Sequence, residues 1–372
     1  MTQIYTGKLP GLMASVAIIG SALATPVAAE WTGGDGQPTN PLSCDGAAMQ
    51  AEAVAYNGGT VTNPETSDTL RVVDVPKLVG IGYFNATSAG VAEAAAELEG
   101  VDATTDGPAQ ANIDDQITLI DNYVTSGVDG ILYAANDPVA IAPVLRKALD
   151  AGIHVVGYDS DAEPDARQWF VNPSQFNGVA KTLIDELAQQ IGPDGSFAIV
   201  TSTFTTPNQA RWIAEMEAYQ ANCFPEMTWL ETVEAQEDNI LSFNQASTLI
   251  NKYGEDMDGI VGMTSVATPA AAEAVTQAGL CGEVAVMGLA TPNAIRPYIK
   301  SGCMADAVLW NPVDMGYAAL HVLKAAADGT LKPGDTEVEA GRLGTLQIIN
   351  GSEVLLGDPT VFSSDNVDDF DF

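Results

Sequence analysis

The sequence predicts an α/β chain made of two doubly wound, Rossmann-like lobes. Strand-type and helix-type segments alternate from about residue 79 to residue 310, the mark of parallel sheets covered on both faces. The alternation runs through twice. Its strands also end repeatedly in acids and amides, above all Val155 to Asp161, VVGYDSD, where a buried strand leads directly into two carboxylates. In open sheets of this kind ligands sit beyond the carboxyl ends of the strands.

Residues 1–29 read as a signal peptide rather than part of the fold. Lys8 is the only charged side chain before Glu30, Leu9 to Ala24 is apolar and small, and Val27-Ala28-Ala29 has the small-residue pattern of a cleavage site. The apolar run is short for a membrane span, and Cys44 lies too far beyond it for lipoprotein cleavage. The expected mature protein is exported, to the periplasm. Residues 30–70, rich in Gly, Pro, Thr, Asn and Asp, read as an extended lead-in.

Each later element has its own signal. Val79 to Phe84 reads as a strand, and Ser88 as the cap of a helix carrying Val91, Ala94, Ala95 and Leu98, stopped by Gly100. A short strand over 101–104 follows. The next helix aligns Ile113, Ile117, Ile120 and Val124 and ends at Gly127, before a strand over 130–134. Ile141, Val144, Leu145, Ala148 and Leu149 share one face of a helix from Asp137 to Gly152, which leads to the strand ending at Asp159. The second half gives helices over 179–191, 208–219, 243–253, 269–278 and 293–300. Strands over 197–201, 228–233, 259–263, 283–289 and 304–310 separate them. Cys281 and Cys303 each precede a strand, so if those strands are neighbours the pair is expected to be bridged.

Composition narrows the partners. With 14 basic and 49 acidic residues the net charge is −35, which repels a phosphate backbone and excludes nucleic acid. About 340 residues beyond the leader suit two domains at roughly 150 each. The strand ends bring up Lys77, Tyr83, Phe84 and Asn85; Asn136 and Asp137; Asp159 and Asp161; Asn208 and Gln209; Met263, Thr264 and Ser265; and Trp310. Carboxylates and amides bind pairs of hydroxyls while aromatic faces cover C–H surfaces, so this set suits a small polyhydroxylated ligand. Enzymatic sets are missing: Gly80-Ile81-Gly82 opens a dinucleotide fingerprint whose third glycine position is Asn85. His154 and His321 have no triad or metal partners. The expectation is a binding protein without a cofactor, not an enzyme.

The runs PKLVGIGYF (76–84), DGPAQANIDDQITLIDNYV (106–124), VVGYDSDAEPDARQWFVNPSQ (155–175), ATPNAIRPYIKSG (290–302) and the closing Phe370-Asp371-Phe372 resemble the type I periplasmic binding proteins. Within them the chain is most similar to the autoinducer-2-binding and rhamnose-binding branch. The resemblance covers Pro76 to the end. It implies an ABC-importer receptor, a monomer serving an inner-membrane permease, whose two lobes are joined by three hinge crossovers and trap a ligand on closing. The crossovers are expected near 170–173, 310–312 and Thr345, which divides the chain into 71–172 plus 311–345 and 173–310 plus 346–372. Lys77 and Asp159 match the autoinducer-2 receptors. Their Asp-Gln pair falls on Asn208 and Gln209, and their Pro-x-Ala on Met263-Thr264-Ser265, so three of six contacts differ. This favours a neutral sugar, rhamnose or another deoxyhexose, a pentose or a polyol, with an autoinducer-2 receptor for import or signalling as the alternative.

Overall fold

The computed structural model describes residues 55–62 and 69–372. The expected signal peptide, most of the lead-in and Cys44 lie outside the described residues. Residues 55–62 run extended along the body: the Tyr56 hydroxyl donates to the carbonyls of Gly59 and Gln168, and Thr62 N–H to that of Leu149.

The first lobe is built on β1 (Leu70–Val75), α1 (Gly82–Glu97), β2 (Val101–Thr105), α2 (Ile113–Ser126), β3 (Gly130–Tyr133), α3 (Pro138–Asp150), β4 (His154–Tyr158) and β5 (Trp169–Asn172). Local chemistry sets the helix ends. Asn112 accepts the Asp115 N–H at the start of α2 and Gly127 closes it in the left-handed conformation. At α3, Asp137 accepts from Val139 and Ala140, with Pro138 at the first position. The chain then enters the second lobe through α4 (Phe176–Ile191), β6 (Ser196–Thr201), α5 (Pro207–Cys223), β7 (Thr228–Glu234), α6 (Asn239–Tyr253), β8 (Gly259–Gly262), α7 (Ala267–Ala278), β9 (Ala285–Gly288), α8 (Pro292–Ser301) and β10 (Asp306–Leu309). It returns through α9 (Pro312–Ala327), β11 (Glu337–Glu339), β12 (Thr345–Ile349) and β13 (Glu353–Leu355), and crosses once more to β14 (Thr360–Ser363).

The strand orders are β11-β12-β13-β5-β4-β3-β1-β2 in one sheet and β7-β6-β8-β9 in the other. A parallel bridge between Leu289 and Val308 brings β10 beside β9, and β14 pairs antiparallel to β10. Each lobe thus has the doubly wound order in which the first strand sits between the second and third. The switch points fall between β1 and β3 and between β6 and β8, and the carboxyl ends there face a cleft. Cys281 and Cys303 form a disulfide, with Cα atoms 4.5 Å apart, across the starts of the neighbouring β9 and β10; Cys223 is disulfide-bonded as well.

Three sequence expectations are corrected. Val79 to Phe84 is not the first strand: LRVVDV fills that place, and the glycine-punctuated VGIGYF turns at Gly80 (φ 91°) and starts α1 at Gly82. Ile81, Tyr83 and Phe84 belong to the cleft, where Tyr83 meets Trp310, rather than to the sheet, and Val79 is exposed. Lys77 consequently follows the first strand instead of preceding it. Ser88 lies inside α1, its hydroxyl donating to the Phe84 carbonyl, and caps nothing. Finally, residues 345–355 stay with the first sheet as β12 and β13, because Val354 pairs with Val171 of β5. The last crossover is therefore the stretch 356–359, not the neighbourhood of Thr345.

Candidate functional site

The cleft residues come from loops that leave strand ends on both lobes. Lys77 follows β1 by two residues, and its loop is held from behind: the buried Gln116 amide donates to the carbonyls of Pro76 and Ala134, and Asn136 donates to that of Lys77. Asp159 follows β4 directly and takes a left-handed φ of 61°, a conformation that costs most residues about a kilocalorie but suits Asp better than most. Asn208 and Gln209 open α5, and Met263, Thr264 and Ser265 follow β8. Thr264 Oγ1 accepts the N–H groups of Val266 and Ala267 and so fixes the start of α7.

These loops meet around a narrow cavity of about 30 Å³, lined by Lys77, Tyr83, Phe84, Asp159, Asn208, Gln209, Met263, Ser265 and Trp310 among the sequence-expected residues. Lys77 and Asp159 are each 3 % exposed and Gln209 2 %, so the cleft is closed. Lys77 Nζ lies 3.1 Å from Asp159 Oδ2 and 3.6 Å from Glu237 Oε1, an ion triad spanning both lobes. Asp159 Oδ1 accepts from the Tyr83 hydroxyl at 2.9 Å, and that hydroxyl accepts from Trp310 Nε1 at 2.8 Å, where the chain crosses between lobes. Gln209 is spent on structure: its Oε1 accepts from Thr201 Oγ1 and Ser202 N–H, and its amide donates to Glu237.

The electrostatics follow from burial. Burial alone pushes the Lys77 ammonium down, but Asp159 and Glu237 outweigh it and the group is held above its ordinary value, firmly cationic. Burial, then the Asp159 charge, hold the Tyr83 phenol well above its usual range, so it donates as a neutral group. With two acids to one cation, the interior of the cleft is anionic.

Three expected residues are not brought to this cavity. Asn85 projects from α1 into solvent. Asp137 is consumed as the cap of α3. Asp161 turns into the first lobe, where both its oxygens accept from the buried Arg167 guanidinium at 3.0 and 2.7 Å and the Tyr133 hydroxyl adds a third donor. Its charge is thereby neutralised away from the cleft. Thr264, also expected at its strand end, lines the cavity too; conversely Glu237, Trp212, Ile81, Leu289 and Leu309 line it without having been picked out. Trp212 sits four residues after Asn208 on the same helical face, a signal the spacing did offer. Glu237 follows the end of β7 in a left-handed turn (φ 52°), which no periodicity marks. The two histidines line no part of the cleft, and burial lowers both. Among the described residues no group of three or more His, Cys, Asp or Glu side chains is arranged to hold a metal.

Comparison with known proteins gives the same architecture. The model of the periplasmic binding protein domain matches residues 72–331. A D-ribose/D-allose-binding protein of Pseudomonas aeruginosa is 32 % identical over 197 residues; the match takes in 50 % of this chain and spans 59 % of the relative's length. The crystal structure of a sugar ABC transporter from Actinomyces odontolyticus is 32 % identical, covering 81 % of this chain and 97 % of that one, with a TM-score of 0.66. An ABC transporter solute-binding protein from Clostridium phytofermentas with bound L-rhamnose is 26 % identical, covering 82 % and 98 %, with a TM-score of 0.75. Two lobes of parallel sheet, a cleft at their switch points and a domain match over most of the chain agree: this protein belongs to the periplasmic binding protein domain family.

Proposed function

We propose that the protein is the periplasmic receptor of an ABC sugar importer, capturing one small neutral sugar between its lobes and presenting the closed form to a membrane permease. The observation that carries this reading is the Lys77–Asp159–Glu237 triad, buried across the lobe boundary beside the aromatic faces of Phe84, Trp212 and Trp310. Charged acceptors and donors bind hydroxyls, aromatic faces cover the C–H side of a sugar, and nothing in the set is arranged to make or break a bond. Rhamnose, another deoxyhexose, a pentose or a polyol fits the replacement of an acid by Asn208. The relatives named for ribose, allose and rhamnose support the same class. Autoinducer-2 is the second reading, favoured by Lys77 and Asp159, where the sequence resembles the receptors of that signal.

Thermal unfolding of ligand-stripped protein with L-rhamnose, D-ribose, D-allose, polyols and autoinducer-2 tests both. A ligand at about a hundred times its dissociation constant adds roughly 2.7 kcal/mol, a clear upward shift of the midpoint. The expected result is a shift with one neutral sugar, strongly reduced in Asp159→Asn, since losing a charged hydrogen-bond partner costs roughly 1.5–3 kcal/mol. A shift with autoinducer-2 alone selects the second reading. No shift with any of them rejects the receptor function.

A further inference from the structure

Two buried polar atoms of the cleft residues lack a hydrogen-bond partner, and they belong to different lobes. One is Asp159 Oδ2, which is ion-paired with the Lys77 ammonium at 3.1 Å and accepts no hydrogen bond from any other group; the other is the indole Nε1 of Trp212. Trp212 is 2 % exposed and wedged between Phe176 and Trp310, with ring centroids 6.3 and 5.5 Å away. Its neighbour Trp310 has its own N–H satisfied by Tyr83, so the two adjoining indoles are not equivalent. A buried donor without an acceptor is costly, and proteins leave such groups where something else supplies the partner.

We infer that Trp212 Nε1–H is a specificity-determining donor for the ligand, paired across the cleft with Asp159 Oδ2 as acceptor. The inference rests on the receptor reading and deepens it. The ligand must present a hydroxyl hydrogen to Asp159 and an oxygen lone pair to Trp212, and adjacent oxygens of one sugar ring provide both. Because one contact lies on each lobe, a ligand making both holds the cleft shut. The formal charge of the triad is −1, and all three side chains are buried. Sugar phosphates and sugar acids are therefore refused, and uncharged polyhydroxylated ligands are accepted.

The experiment uses the mature protein and Trp212→Phe, each titrated calorimetrically with whichever of L-rhamnose, D-ribose or D-allose raises the wild-type unfolding midpoint. Trp212→Phe removes a donor that is unpaired in the closed cleft and free to meet water when the cleft opens, so the unliganded midpoint is expected to hold or rise while affinity falls at least about tenfold. A purely structural tryptophan would give the reverse, a lowered free midpoint with affinity kept, and that overturns the inference. Equal affinity in wild type and variant overturns it too, while leaving the receptor reading intact. Failure of every sugar to bind wild type removes the receptor reading and the inference together. Should the variant not fold, a crystal structure of the wild type with the binding sugar decides. A ligand oxygen within about 3.2 Å of Trp212 Nε1 supports the assignment, and an apolar face there contradicts it.

Discussion

Asp74 lies on β1, three residues before Lys77, and is wholly buried; its carboxylate accepts from the hydroxyls of Tyr158 at 2.8 Å and Thr105 at 2.9 Å. Burial pushes its pKa up to about 6, against hydrogen bonds from Tyr158, Thr105 and Ser88 that favour the charged form. Between the ordinary value of 3.8 and about 6 the folded protein therefore keeps a proton that the unfolded chain has released. The stabilisation is complete below the lower value and is lost as pH rises through the upper one. Asp74→Asn mimics the protonated carboxyl at every pH. It is expected to match wild type in urea unfolding near about pH 4 and to exceed it by roughly 2–3 kcal/mol near about pH 7.5; parallel profiles would contradict this. Single acids were also where the sequence was least legible. Asp159 and Asp161 leave the same strand two residues apart, and nothing in DSD says which faces a ligand. The left-handed turn at Asp159 and the guanidinium of Arg167, six residues after Asp161, make that choice.

At the scale of elements, helices with a strong apolar period and a cap were readable, as α2 with Asn112 and Gly127 shows. The body of α1 was readable from Val91 and Ala94 but its start was not, because its first turn is built for the cleft: Tyr83 and Phe84 follow two glycines and imitate the end of a strand. That turn is placed by the close crossing of α1 and α9. A Cβ on Gly90 would lie 1.9 Å from the Val313 carbonyl oxygen, and one on Gly316 would lie 1.9 Å from that of Thr87. Gly316→Ala gains about 1 kcal/mol of helix propensity. It forces the two backbones apart, which typically costs about 1–3 kcal/mol, and it drags Tyr83 from Asp159. A lowered unfolding midpoint and weakened sugar binding are expected. Gly178→Ala in α4 is the control: the nearest atom to its Cβ is 3.8 Å away, so the midpoint should rise. If both substitutions shift stability in the same direction, the close approach is not what holds α1.

At the scale of the molecule, two sheets with the same strand order present their switch points to each other, and three connections join them: between β5 and α4, between β10 and α9, and between β13 and β14. The first two were legible as strands running out into polar, proline-containing stretches. The third was hidden because β13 is a three-residue strand that joins its sheet by pairing with β5, a long-range contact no local pattern encodes. The C-terminus is fastened to the second lobe: the Arg296 guanidinium donates to the Val367 and Phe370 carbonyls, and Asn293 N–H donates to that of Phe372. Among the described residues these three connections and the cleft contacts join the lobes, and in the proposed capture a ligand touching both sides shifts the population toward closure. Small-angle scattering of ligand-stripped protein, before and after saturation with the sugar that stabilises it, tests capture by closure most directly. The account predicts a smaller radius of gyration on saturation and a scattering curve that fits the closed cleft described here. Tight binding with an unchanged curve would contradict it.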